Sequence, residues 1–135
     1  MDEYFALDEL LYCAVYPPEI ASMFWRKNGK VSSAAFADPK GLSVDRGYFR
    51  DEKDVIDSMT RRFTGSIITI FAGDCASIQA IIRYLPSKSN IFHSEIHGSE
   101  HKPLLSKSQR YYLSERALQV FPSVDQCLTV TPEYE

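Results

Sequence analysis

Apolar positions along the chain fall into short runs with two periodicities. Leu10 to Tyr16 is mostly apolar and aromatic and closes on Pro17-Pro18; prolines arriving so soon favour a strand over a helix. Pro18 can open a short helix in which Ile20, Met23 and Phe24 recur at helical spacing, with Asn28-Gly29 as its stop. Trp25, beside that face, reads as a core or rim anchor. Val31 to Ala37 and Leu42 to Asp45 flank Asp38-Pro39-Lys40-Gly41, a sequence suited to a type I turn, and together predict a β-hairpin.

The spacing of Val55, Ile56, Met59 and Phe63 predicts a helix over 51–63, capped by Asp51 and ended by Gly65, with Asp57 four residues before Arg61. Ile67 to Phe71 lacks alternation, as expected of a strand covered on both faces, and is the best candidate for the middle of the sheet. Asp74 is placed to cap a short helical turn, and Ala80 to Leu85 is β-branched enough for a further strand, although helix and strand compete there. After the loop Pro86 to Asn90, Ser106 and Gln109 form a capping box for a last helix running to about Val120. These elements predict a single α+β domain over 1–135, with a mixed or mostly antiparallel sheet, about three helices packed on it, and residues 132–135 frayed.

Composition narrows the class. With 44% hydrophobic and 13% aromatic residues the 135-residue chain can build one core. A net charge of −3 gives no overall attraction to nucleic acid or an acidic membrane. Cys13, Cys75 and Cys127 are odd in number and widely spaced, which argues against a disulfide framework or zinc site and for a reducing cytoplasm. The acidic N-terminus lacks the pattern of a signal peptide, and no apolar run approaches the ~20 residues of a membrane span.

Chemistry concentrates in one place. All three histidines, His93, His97 and His101, lie within nine residues, beside Glu95 and Glu100. In an extended segment His93, Glu95 and His97 share one face, whereas His101 lies beyond Gly98. Two imidazoles and a carboxylate there suit general acid–base catalysis, with a histidine as acid or base and Glu95 orienting it. Such a set can also chelate a metal, but HExxH is absent, no cysteine is near, and no metal or other cofactor is assigned. The competing structural expectation is a solvent-facing strand edge. Ser33, Asp45 and Arg46 are candidates to complete a substrate site, Arg46 holding an anion such as phosphate. Cys75, in the first turn of a short helix, is either a low-pKa thiol or a buried inert one. Tyr111 and Tyr112 among Lys107 and Arg110 are candidates for stacking or for the core.

Leu11-Tyr-Cys-Ala-Val15, Val31-Ser-Ser-Ala-Ala-Phe36, Gly41-Leu-Ser-Val-Asp-Arg46 and Asn90-Ile-Phe-His-Ser-Glu-Ile-His-Gly98 together resemble a family of small bacterial proteins to which no activity is attached. The resemblance spans most of the chain and implies one intact domain and a bacterial source. The order of an early strand, a Ser-Ser segment and a later glutamate also resembles the Arg, Ser, Glu order of ADP-ribosyltransferase-like folds, with Cys13 at the arginine's place.

The resulting expectation is a small cytoplasmic protein whose His/Glu cleft binds or acts on a nucleotide or another phosphorylated small molecule. The alternative is a non-catalytic module that offers the histidine segment to a protein partner as an edge strand or loop. Neither reading involves a membrane or nucleic acid, and oligomeric state is left open.

Overall fold

Of the six runs expected to be strands or half of a hairpin, the segment around Val31 departs and a strand near the C-terminus joins the sheet. The computed structural model describes residues 3–123. Its strands are β1 (Leu10–Val15), β2 (Leu42–Arg46), β3 (Ser66–Phe71), β4 (Ile81–Tyr84), β5 (His93–His97) and β6 (Leu118–Phe121). They form one open antiparallel sheet in the order β4-β5-β2-β1-β3-β6. With α1 (Glu52–Arg62), α2 (Ala72–Ser77) and α3 (Lys107–Arg116) packed on it, the protein is a single α+β domain. The expected fraying of 132–135 lies outside the described residues, as does Cys127. No described helix is long and apolar enough to cross a membrane.

Several boundaries differ from the sequence expectation for local reasons. Residues 18–28 form only a 3₁₀ turn, Ser22–Phe24, leaving Ile20 and Met23 exposed; a segment this short between prolines and Asn28-Gly29 cannot offset helix nucleation. Ser33–Phe36 is also a 3₁₀ turn that sinks Phe36 into the core, and Val31 makes only an isolated bridge to Trp25. No hairpin therefore joins this segment to β2, although the Asp38 to Gly41 turn forms, closed by Gly41 N–H on the Asp38 carbonyl at 3.1 Å. Asp51 caps α1 without a side-chain bond, and Asp57 pairs with Lys53 at 3.2 Å. Phe71 occupies the cap position of α2, which places Asp74 inside the first turn. The capping box of Ser106 and Gln109 forms, but α3 stops at Arg116 because Ala117 turns extended and leads into β6.

Burial divides the sheet's two faces unequally. Leu11, Cys13, Val44, Ile68, Ile70 and Ile96 face the main core with α2, α3 and the two 3₁₀ turns. On the opposite face, Val55 and Met59 of α1 pack on Tyr12 and Ile67, each burial contributing about 1.5–3 kcal/mol. β3 is thus covered on both faces as expected, but it lies one step outward of the central pair β2 and β1.

One helix cannot cover six strands. The sheet is about 24 Å between its outer strands, and a helix with side chains spans about 10–12 Å. Among the described residues α1 alone occupies this face, over β1, β3 and β6. The half built from β2, β5 and β4 is left open to solvent beside the helix, and the histidine strand lies in that half.

Candidate functional site

Alternation along β5 decides which side chains reach the open face. Ser94 and Ile96 are buried in the main core, and His93, Glu95 and His97 project together from the other side. β5 is not an edge: it pairs with β2 through Asp45 and His93 and with β4 through Arg83 and Glu95. His101 sits in a bend past the strand and is exposed.

The three side chains have unequal roles. Glu95 Oε1 lies 2.9 Å from His97 Nε2, and its other oxygen lies 3.5 Å from His93 Nε2. Arg83 Nε–H donates to His97 Nδ1 at 3.3 Å. An arginine donor needs a lone pair on that nitrogen, so the His97 proton resides on Nε2 and is donated to Glu95. His97 is further fixed from below by Gly41, where a Cβ would stand 2.6 Å from the imidazole ring. With both nitrogens committed, His97 is a buttress for Glu95. The His93 Nδ1 carries no hydrogen bond among the described residues, which leaves it available to a ligand.

His93 also lines a groove of 520 Å³ between the sheet and the C-terminal end of α1. Residue size explains the groove. Tyr12, Ala14 and Tyr16 alternate onto this face, and continuing the pairing of Tyr12 with Asp45 sets Ala14 beside Ser43. Those two small side chains form a low floor. Met59, Arg62 and Phe63 make the helix wall.

Asp45 organises one end. Its carboxylate is buried, accepting from Arg62 Nη2 at 2.5 Å and from Asn90 Nδ2 at 2.9 Å. It thereby ties α1 and the loop before β5 to β2. Both Arg62 side-chain hydrogen bonds use Nη2, so Nε and Nη1, which face different sides of the guanidinium, each keep a donor for a single bond to an anion. Tyr12 donates its hydroxyl to Glu52 at 2.9 Å. Burial first, and then Glu52, push its pKa well above that of an ordinary tyrosine, which keeps it a neutral donor.

No family model, curated protein or solved structure matches this chain. Its site therefore has to be judged from its own geometry.

Two residues singled out in the sequence do not join the groove. Arg46 alternates away from Asp45 into the main core, where its buried guanidinium makes two 2.8 Å bonds to Glu9. Rings of Phe5, Tyr48 and Tyr84 stand 3.9, 4.5 and 5.1 Å from it. It is a structural cation, and Arg62 is the arginine that lines the groove. Ser33 belongs to a turn packed against α3, across the sheet from the histidines. Among the described residues no group of three His, Cys, Asp or Glu side chains is arranged to hold a metal ion.

Arg62, Arg83 and Asn90 were not anticipated as site residues. They come from the end of a helix, an outer strand and a loop, and only the sheet order brings them to β5. Tyr112 packs partly against the core and under Arg116, while Tyr111 stays exposed near Arg26.

Cys75 is buried, and burial, with Asp74 adding to it, pushes its thiol up to about 12. Cys13 is likewise raised to about 12, by burial and then by Asp38 and Asp45. Neither is a nucleophile near neutral pH. Alkylation by iodoacetamide at pH 8, read by peptide mass spectrometry, should leave both unmodified in the native protein and label both in denaturant. Rapid native labelling of Cys75 would contradict this assignment.

Proposed function

We propose that this protein binds and acts on a phosphorylated small molecule in the groove between α1 and the open half of the sheet. The observation that carries the reading is that His93, whose Nδ1 has no hydrogen bond among the described residues, lines the same groove as Arg62. Arg62 takes the phosphate through a single charge-assisted hydrogen bond from a guanidinium nitrogen that Asp45 leaves open. His93 Nδ1 accepts a proton from the ligand, and Glu95, 3.5 Å from Nε2, offsets the charge of the imidazolium that forms. His97 and Arg83 hold Glu95 in place. Buried cysteines without disulfides are compatible with action in the cytoplasm.

The rival reading, an edge strand offered to a protein partner, has less support. β5 is paired on both sides and presents no free backbone edge.

Calorimetric titration with ribose 5-phosphate provides the test. The wild-type protein is expected to bind it, and Arg62→Ala to weaken binding by about tenfold or more, the usual loss for a charge-assisted hydrogen bond. Equal affinity in the two proteins would remove Arg62 as the phosphate holder.

A further inference from the structure

We propose that the ligand of this groove is a nucleotide, its base carried by Tyr16 and Phe63 while Arg62 takes the phosphate. The inference rests on the phosphate reading above and names the remainder of the molecule.

The groove has two chemically different ends. Tyr12 stands level with Asp45, and Asp45 with His93, in the strand ladders. Tyr16 lies four residues further along the β1 direction, about 13 Å away at the rise of a strand. Thus imidazole and guanidinium gather at one end, and an aromatic ring marks the other. A phosphate joined through a sugar to a planar base spans such a separation, whereas inorganic phosphate or a short sugar phosphate fills only the charged end.

The aromatic end is built and unfilled. Tyr16 and Phe63 line the cavity and yet remain 56% and 47% exposed. Both are held at the backbone. Trp25 Nε1–H donates to the Tyr16 carbonyl at 2.8 Å, and Phe63 N–H donates to the Met59 carbonyl at 2.8 Å. Exposed rings on fixed backbone are suited to stacking a base, since each base presents a π-face to an aromatic side chain. The Phe63 ring lies 5.1 Å from the Arg62 guanidinium carbon, so it borders the charged end, and Tyr16 marks the far one.

Between these ends, Ala14 and Ser43 leave a floor low enough for a sugar ring. Ser43 and Thr64 line the groove with hydroxyls that have no hydrogen bond among the described residues. They can donate to or accept from a ribose or a base edge. The groove's 520 Å³ lies within the size range of small-ligand sites.

The experiment compares adenosine 5′-monophosphate with ribose 5-phosphate by calorimetry, on the wild-type protein and on the Tyr16→Leu/Phe63→Leu double variant. Leucine keeps apolar bulk at these exposed positions but removes the flat ring. Adenosine 5′-monophosphate should bind the wild-type protein about tenfold or more tightly than ribose 5-phosphate. The double variant should abolish that difference while still binding ribose 5-phosphate. Equal wild-type affinities, both weakened by Arg62→Ala, would overturn the base site and leave the phosphate reading standing. Parallel loss of both ligands in the double variant would assign the rings to shaping the groove and overturn their role in base binding. No binding of either compound to the wild-type protein would overturn both proposals.

Discussion

Replacing Glu9 with alanine is expected to destabilise the protein by about 3–5 kcal/mol, the usual cost of removing one partner of a buried ion pair. The Arg46 side chain has 0% exposure and that of Glu9 7%. Water therefore cannot substitute for the carboxylate that now accepts two parallel 2.8 Å bonds. The Tyr4 carbonyl at 3.0 Å and three surrounding rings remain in the variant. Against a typical domain stability of about 5–15 kcal/mol, this loss is large. Urea unfolding followed by tryptophan fluorescence would read it. Glu9→Leu combined with Arg46→Met should recover most of the stability, because apolar replacement of a whole buried pair is often neutral. A Glu9→Ala loss below about 1 kcal/mol would mean that Arg46 finds water or another partner.

Asp45→Ala is expected to act on stability and ligand binding together. The carboxylate is nearly inaccessible and has two partners on different elements, Arg62 on α1 and Asn90 in the loop before β5. Because the Arg62 side chain is 31% exposed, it can reach solvent when released. The expected destabilisation is accordingly about 1–3 kcal/mol, below that of Glu9→Ala. Binding supplies the sharper discrimination. Removing a negative charge beside an anion site would, by Coulomb attraction alone, tighten phosphate binding. If Asp45 instead serves to aim Arg62, ribose 5-phosphate binding should weaken. Weaker binding supports the positioning role, and tighter binding contradicts it.

The sequence was most informative where local pattern and final environment agree. The unbroken apolar run of β3 is covered on both faces, the stripe of Val55 and Met59 is the buried face of α1, and Ser106 and Gln109 do cap α3. Alternation likewise anticipated the shared face of His93, Glu95 and His97. It failed where tertiary contacts overrule local preference. Val120 fits the apolar spacing of a helix, yet it lies on β6 and packs with the α1 cluster. Ser33 to Phe36 compacts into a turn because Phe36 finds the main core.

Asp45 and Arg46 illustrate the limit for the site. Both were candidates as neighbours on one strand, and that adjacency is why they face opposite sides of the sheet. Arg62, Arg83 and Asn90 are distant from one another in sequence and were invisible as a set before strand order was known. The groove itself depends on the small sizes of Ala14 and Ser43 at neighbouring positions of β1 and β2, a pairing that neither strand encodes alone.

A ligand that occupies this groove meets His93. Histidine-ring ¹H–¹⁵N NMR during titration with ribose 5-phosphate tests it most directly, using the wild-type protein and Ala14→Leu, which raises the groove floor without removing a polar group. A saturable shift of the His93 ring in the wild-type protein, an unchanged exposed His101, and loss of the His93 response in Ala14→Leu are expected. An unperturbed His93, or the same His93 shift in both proteins, would contradict this placement of the ligand.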